Sequence, residues 1–180
     1  MNKLGLFCHV RIKSKRVQEY KNTKAKYNNI AIRDYNGINN DIYATDITYI
    51  PALIDVPDNH IFMSAIIHHK TKKIVSYNIS KYNDTNLVMT HLKKTEFSNN
   101  FIIHSDHGIL YSLKEYTQFI QSKNGTISMS RIDDSLDNRE IEYFFSILKS
   151  EMFPNFEKMV RKLTFEQLKN EISKLIKKDF

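Results

Sequence analysis

Two aspartates stand in or directly after stretches that have the pattern of β-strands. Asp46 lies inside the alternating segment YATDITYI (43–50), and Asp106 follows the apolar strand FIIHS (101–105). A carboxylate inside a strand costs free energy unless a partner compensates its charge. Either aspartate alone is more often a surface or capping residue. A pair on neighbouring central strands, however, is the arrangement in which two carboxylates could share a metal ion.

A third carboxylate comes from a predicted helix over residues 138–152. Its apolar residues recur at intervals of three and four and predict one stripe that packs on the sheet: Ile141, Phe144, Phe145, Leu148 and Met152. At about 100° per residue, Glu142 and Lys149 fall beside this stripe and within about 20° of each other. Glu142 would then meet the strands at the seam; the alternative is a surface pair with no role. Three carboxylates without a nearby thiolate favour Mg²⁺ or Mn²⁺ over zinc.

The elements that must position these carboxylates follow from hydrophobic periodicity and turn signals. We predict strands at 43–50, 60–69, 72–80, 101–105 and 126–129. We predict a helix after the Asn83-Asp84-Thr85 cap, one from Ser112 to Lys123, one over 138–152, and one over 164–178 opened by a Thr164–Gln167 capping box. This order predicts an α/β fold with a five-stranded mixed sheet flanked by helices, in which catalytic groups collect at the carboxyl ends of central strands.

Composition limits the classes of function. The chain has 180 residues, one cysteine and a formal net charge of +7, so we expect one domain without a disulfide framework or a two-cysteine zinc site. Residues 1–35 hold nine basic and two acidic residues, 36–148 hold ten and thirteen, and 149–180 hold eight and five. Basic flanks around an acidic middle suit arms that neutralise phosphates, although solvated tails are the alternative. Apolar runs are far shorter than the roughly 20 residues that span a bilayer, and no secretory signal opens the chain, so we expect a cytoplasmic protein.

Several segments together resemble the integrase core of bacterial insertion-sequence transposases, in particular the group whose transposase joins two overlapping reading frames. The resemblance covers roughly residues 4–152 and rests on ATDITYI, KKIVSYNIS, IIHSDHGILYS, SMSRIDDSLDNREIEYFFSILKSE and, more weakly, LGLFCHVRIKSK. The signature of this family is two aspartates and a glutamate, with 35 residues between the last two, and 35 residues separate Asp106 from Glu142. Members are related to retroviral integrases, so the resemblance implies a ribonuclease H-like fold.

The resemblance also implies an activity. Asp46, Asp106 and Glu142 would bind two Mg²⁺ or Mn²⁺ ions and catalyse phosphodiester cleavage and strand transfer at the ends of an insertion element, integrating DNA. A truncated, non-catalytic remnant or a regulatory polypeptide that binds DNA or transposase subunits is the alternative. A ribonuclease H-like nuclease acting on RNA hybrids fits the DN-x-x-x-E and SMS motifs less well.

Further residues are candidates for DNA contact by the same resemblance. Lys149 matches the family's helix lysine that approaches DNA near the cut. His107 stands where Arg is frequent and would contact phosphate or solvent. Arg131 and Asn138 are further candidates, although Asn138 and the preceding Asp137 also suit capping of the helix. His104, Ser105 and Gly108 match the motif, and Gly108 would let the chain turn closely past the metals.

The chain departs from the family pattern at three positions. His68 stands where relatives commonly have an aspartate, Tyr43 where they have a Trp, and Asp133 where they have a Gly. None of these removes the triad. The adjacent pair His68-His69 is not expected to bind a metal, because neighbouring strand residues point to opposite faces of the sheet.

We expect three parts. Residues 1–40 are a basic arm or linker, a remnant of the region after the DNA-binding domain; 41–155 are the integrase catalytic core; and 156–180 are a C-terminal helix that looks truncated. A helix-turn-helix region would then precede Met1, and only its last stretch would remain as residues 1–16. A product of an upstream reading frame would supply this helix-turn-helix. The expected partners are DNA at the nucleoid and further copies of the chain on that DNA, with no membrane.

Overall fold

The computed structural model describes residues 26–131, 135–152 and 161–179. The features predicted at residues 1–16 and at Asp133 lie outside these ranges. Within them, five strands form one sheet: β1 (Ile42–Pro51), β2 (His60–His68), β3 (Ile74–Ser80), β4 (Ile102–Ser105) and β5 (Thr126–Met129). The strand order is β3-β2-β1-β4-β5. β1 pairs antiparallel with β2 and parallel with β4, and β4 pairs parallel with β5. The predicted five-stranded mixed sheet is confirmed, with strand ends within two residues.

Four α-helices accompany the sheet in the described ranges: α1 (Thr85–Leu92), α2 (Lys114–Ser122), α3 (Arg139–Met152) and α4 (Phe165–Asp179). The carboxylate of Asp84 caps α1 by accepting a hydrogen bond from the Leu87 amide at 3.0 Å. The capping box before α4 is present, since the Thr164 amide donates to Gln167 Oε1 at 3.0 Å. None of these helices is long and apolar enough to cross a membrane.

The predicted start of α2 at Ser112 is wrong. A 3₁₀ helix, Ile109–Ser112, takes up the residues after Gly108, so Ser112 already has helical backbone and cannot serve as the cap. Leu113 has extended backbone and precedes α2 without a side-chain cap. A capping signal places a helix start only to within one or two residues.

Helices cover both faces of the sheet because the strands alternate apolar side chains between them. In β1, Ala44 and Ile50 point to the face covered by α3 and α4, and Tyr43 and Ile47 point to the face covered by α1 and α2. The predicted stripe of α3 is buried in full. α4 buries Leu168, Ile172 and Ile176 in the same hydrophobic cluster as α3. Since each fully buried large apolar side chain contributes about 1.5–3 kcal/mol, the stripe fixes which side of α3 faces the sheet.

Residues 26–40 form neither helix nor strand, and residues 28–31 run along the outer edge of β5. The amides of Ile30 and Ala31 donate to the Ser128 hydroxyl oxygen at 2.8 and 3.2 Å. The Met129 amide donates to the Asn28 carbonyl at 3.3 Å. This segment, expected as part of a linker, therefore protects the edge strand and packs on the sheet.

Candidate active site

Asp46 and Asp106 emerge side by side from the two central parallel strands. Ala44 in β1 pairs with His104 in β4, and continuing this register by two residues brings Asp46 level with Asp106. Both line an open cleft of about 500 Å³, together with Tyr49, Phe62, Ile109 and neighbouring residues. The fold thus brings together two carboxylates that are 60 positions apart in the sequence.

The electrostatics of Asp46 show how close these charges are. Burial, and secondly the charge of Asp106, raise the pKa of Asp46 to about 7. Glu142 raises this pKa further, while Lys149 and a hydrogen bond from the Ile47 amide at 2.7 Å lower it. Asp46 therefore holds a charge that its protein surroundings do not fully compensate.

Glu142 lies on the exposed flank of α3, beside the buried stripe. Partial burial and the charge of Asp106 raise the pKa of Glu142. The helix thus brings a third carboxylate into electrostatic contact with both aspartates, at the seam that the helical periodicity predicts.

The three carboxylates do not form a ready-made metal cage. Across residues 26–131, 135–152 and 161–179, no three His, Cys, Asp or Glu side chains converge closely enough to hold an ion. Instead, Asp46 accepts the Ile47 amide, and Asp106 Oδ1 accepts the Gly108 amide at 2.8 Å. Like charges repel, and these amide donors offset part of the repulsion between the carboxylates.

Gly108 keeps the turn after β4 tight against Asp106. A Cβ atom at this position would lie 2.9 Å from Asp106 Oδ1 and 3.2 Å from the Tyr111 ring. The backbone φ is −56°, so the requirement for glycine is steric rather than conformational. Tyr111 is 1% exposed and packs against Tyr116 with ring centroids 5.5 Å apart, and it anchors the chain after the turn.

His104 holds the end of β4 by hydrogen bonds with Ser128, in β5, and with Ser130, directly after β5. Its Nδ1 lies 2.8 Å from Ser128 Oγ and its Nε2 lies 3.2 Å from Ser130 Oγ. Ser128 Oγ already accepts two backbone amides, so its proton goes to Nδ1, and Nε2–H donates to Ser130. Burial lowers the pKa of His104 to about 4, and the ring is neutral. Ser128 and Ser130 are the two serines of the SMS motif, and their hydrogen bonds with His104 join it to the HSD motif at the end of β4.

Lys149 points toward the carboxylates, as the helical spacing predicts. Its Nζ lies 5.1 Å from the centre of the exposed Tyr49 ring. Partial burial lowers the pKa of Lys149, and Asp46 counteracts this effect. A cation and an accessible aromatic ring thus border the cleft beside Asp46.

The other predicted DNA contacts occupy different surroundings. His107 is exposed, and its Nε2 donates to the Ser130 carbonyl at 2.6 Å. The guanidinium of Arg131 binds the buried carboxylate of Asp137. Asn138 is 2% exposed and donates to the Thr45 carbonyl at 3.4 Å, so its side chain faces the protein interior. Contact of these three residues with DNA stays a prediction.

His68 and His69 have separate hydrogen-bond partners. His68 stacks on Tyr43 at 4.7 Å and its Nε2 lies 2.6 Å from Asp41 Oδ1. His69 Nδ1 donates to the Asp34 carbonyl at 2.9 Å.

Comparison with known proteins relates the chain to transposases. No protein-family model matches. The chain is 30% identical over 148 residues to InsK, assigned as transposase to insertion sequence element IS150 of Escherichia coli K12, which covers 79% of this chain and 51% of that protein. It is 26% identical over 117 residues to the transposase for insertion sequence element IS904 of Lactococcus lactis, covering 63% and 45%. The chain thus spans about half the length of these curated relatives.

Solved structures of retroviral proteins share the fold. A chain of the simian T-cell lymphotropic virus intasome in complex with PP2A regulatory subunit B56 gamma matches with a TM-score of 0.60 and 16% identity, over 76% of this chain and 47% of that one. The HTLV-2 integrase catalytic core domain in complex with magnesium matches with a TM-score of 0.51 and 14% identity, over 76% and 82%. The chain is therefore a homologue of insertion-sequence transposases, and its described part has the ribonuclease H-like fold of retroviral integrase cores.

Proposed function

We propose that this chain carries the catalytic core of a transposase that cleaves DNA at insertion-element ends and transfers the freed strand into a target. Asp46, Asp106 and Glu142 are its catalytic carboxylates. The observation that carries the proposal is the pair of aspartates at one level of the sheet, Asp46 within β1 and Asp106 directly after β4, with the pKa of Asp46 raised to about 7 by burial and by its acidic neighbours. The similarity to transposases supports the same activity.

The donor set fits hard divalent cations. Three carboxylates offer only oxygen ligands, which suit Mg²⁺ or Mn²⁺, and the uncompensated charge at Asp46 is what a cation would neutralise. Bound at Asp46, Asp106 and Glu142, two such ions would supply positive charge that polarises a phosphodiester and activates a water or a 3′-hydroxyl.

The chain's own groups prepare this site in three ways. The neutral His104 and its serine partners fix the end of β4, and therefore the backbone position from which the Asp106 side chain extends. Gly108 leaves room for the Asp106 carboxylate and gives it one amide donor, so the second oxygen is available to a ligand. Lys149 places a cation beside the cleft, where it would bind the DNA phosphate next to the cut.

The partners in this proposal are element-end DNA, target DNA and further copies of the chain on that DNA, at the bacterial nucleoid. A product of an upstream reading frame carrying a helix-turn-helix would recognise the element ends. The match covers 51% of InsK, so the rest of that relative is long enough to contain such additional parts.

The test is nicking and strand transfer on labelled element-end DNA with Mg²⁺ or Mn²⁺. Asp106→Asn and Glu142→Gln should each lose at least about a hundredfold in rate, more than is typical for residues that only support metal ligands. The matched control is Glu151→Gln, an exposed glutamate on the same helix, which should retain the wild-type rate. Equal rates for wild type and Asp106→Asn would refute the assignment. If the wild type and all variants bind DNA but none of them cleaves it, the result would favour the non-catalytic alternative.

A further inference from the structure

A buried carboxylate ties two distant segments together just before α3. Asp137 lies in the 3₁₀ helix Ser135–Asn138, and its side chain is 0% exposed. Its Oδ1 accepts from Arg33 Nε at 3.0 Å and from Arg131 Nη2 at 2.8 Å. Its Oδ2 accepts from Asn29 Nδ2 at 2.7 Å, and from the amide and Nε of Arg131, both at 2.9 Å. Five donors therefore converge on one carboxylate.

The charges at this point are well matched. The bonds from Arg131, and then from Arg33, hold the pKa of Asp137 far below its usual range despite its burial. Charge-assisted bonds of this kind are stronger and more directional than neutral ones. A buried charge that loses its partner is strongly destabilised, so the carboxylate and the segment carrying Arg33 and Asn29 hold each other in place.

The same segment also contacts the 3₁₀ helix and the first turn of α3. The hydroxyl of Tyr35 donates to the Leu136 carbonyl at 2.5 Å, and the guanidinium of Arg139 stacks 3.8 Å from the centre of the Tyr35 ring. Lys72, from the turn between β2 and β3, binds both the Tyr35 carbonyl and Glu140. Residues 29–35 thus contact both the 3₁₀ helix and the start of α3.

The same turn contacts β1 next to Asp46. Asn138, which follows Asp137, donates to the carbonyl of Thr45, the residue before Asp46. The turn is therefore held between the 29–35 segment and the strand that carries Asp46. Glu142 comes four residues after Asn138, at the start of the helix that this turn begins.

We propose that Asp137, through its pairing with Arg33, is a positioning residue that sets the place of Glu142 relative to Asp46. The inference rests on the proposed function of the three carboxylates. The apolar stripe of α3 fixes the face that meets the sheet, whereas the clamp around Asp137 fixes the helix start along its axis, where one residue corresponds to about 1.5 Å. A misplacement of about 1 Å at a catalytic group can reduce a rate about a hundredfold, so a loosened clamp acts on catalysis before it unfolds the sheet.

The test compares Arg33→Met with Lys93→Met. Arg33→Met removes one clamp bond from a side chain that is 40% exposed and keeps an apolar stem. Lys93→Met breaks an exposed ion pair with Glu115 on the α1–α2 face, with a spacing of 2.9 Å, and controls for the loss of one surface cation. Arg33→Lys tests rescue, because it keeps the charge.

We expect Arg33→Met to lower kcat for cleavage about tenfold or more and to raise the Mg²⁺ concentration that gives half-maximal activity, with KM for DNA within about twofold of wild type. Arg33→Lys should recover part of the loss, and Lys93→Met should behave as wild type. Asp137→Asn combined with Arg33→Met should cost less than the product of the two single effects, because both changes loosen the same clamp.

Two measurements do not depend on cleavage. Hydrogen exchange of amides 138–143 should accelerate in Arg33→Met while the amides of β1 and β2 keep their protection. The rise in melting temperature caused by Mg²⁺ should be smaller than in wild type. An unchanged kcat, or a change confined to KM, would overturn the inference. If the wild type does not cut DNA, the proposed function fails. The clamp is then judged by hydrogen exchange alone: amides 138–143 that exchange in Arg33→Met at the wild-type rate would refute it, and faster exchange of these amides would sustain it.

Discussion

Replacement of Asp46 by Asn tests the electrostatic description of the site without any need for activity. The folded chain holds the pKa of Asp46 at about 7, mainly through burial, against an ordinary value of 3.8. Between these two values the folded state keeps a proton that the unfolded state has lost. The free energy of unfolding that Asp46 contributes therefore falls as the pH rises through this window, and the loss is nearly complete at about pH 8.

The magnitude follows from the size of the shift. One pKa unit corresponds to about 1.4 kcal/mol, so ionisation of Asp46 removes up to about 4 kcal/mol from the stability of the metal-free chain above pH 7. About 2 kcal/mol of this loss falls between pH 5 and pH 7, and most of the remainder by pH 8. Asn at this position stays neutral and can still accept the hydrogen bond from the Ile47 amide.

The stability of Asp46→Asn relative to wild type should accordingly increase by roughly 3 kcal/mol from pH 5 to pH 8. The assay is urea unfolding followed by circular dichroism at several pH values in the presence of EDTA. The exposed Asp58, changed to Asn, controls for the loss of one negative charge. Excess Mg²⁺ at pH 8 should narrow the gap by stabilising the wild type. A difference between the two proteins that stays constant with pH would refute the reasoning.

Two further predictions concern glycines. Gly108→Ala should reduce Mg²⁺-dependent cleavage at least about tenfold, because its Cβ would crowd Asp106 and the Tyr111 ring; an unchanged rate alongside an unchanged melting curve would contradict this. Gly125→Ala should instead lower the free energy of unfolding by about 1–3 kcal/mol, measured by urea unfolding, because its Cβ would lie within van der Waals overlap of the Phe101 ring; wild-type stability would show that Phe101 moves aside freely.

The strands and helices could be predicted because their signals are local. Alternation in β1 and the stripe of α3 state which side chains are buried, and the structure follows both patterns. The place of Glu142 beside the stripe follows from helix geometry alone, so its meeting with Asp46 could be anticipated before the strand order was known. The parallel pairing of β1 with β4 then brings Asp106 to the same level.

The role of residues 26–40 could not be predicted in this way. The segment has no hydrophobic period, and its partners lie about a hundred positions downstream: Ser128 for Ile30, and Asp137 for Arg33. A run of polar and basic residues indicates a solvated linker when its partners are unknown. Only the folded sheet edge shows that Arg33 has a buried counter-charge.

The neutral ring of His104 also offers a spectroscopic probe. Its Nε2 proton is fully buried and bonded to Ser130, so it should exchange slowly with solvent and give a distinct downfield nitrogen-bound proton resonance in NMR spectra. Its Nδ1 accepts a hydrogen bond from the Ser128 hydroxyl while the amides of Ile30 and Ala31 occupy that hydroxyl's lone pairs. Detachment of residues 28–31 from β5 would allow the other tautomer of His104, and the ¹⁵N shifts of this imidazole, one strand in from the edge, would report whether the edge is covered.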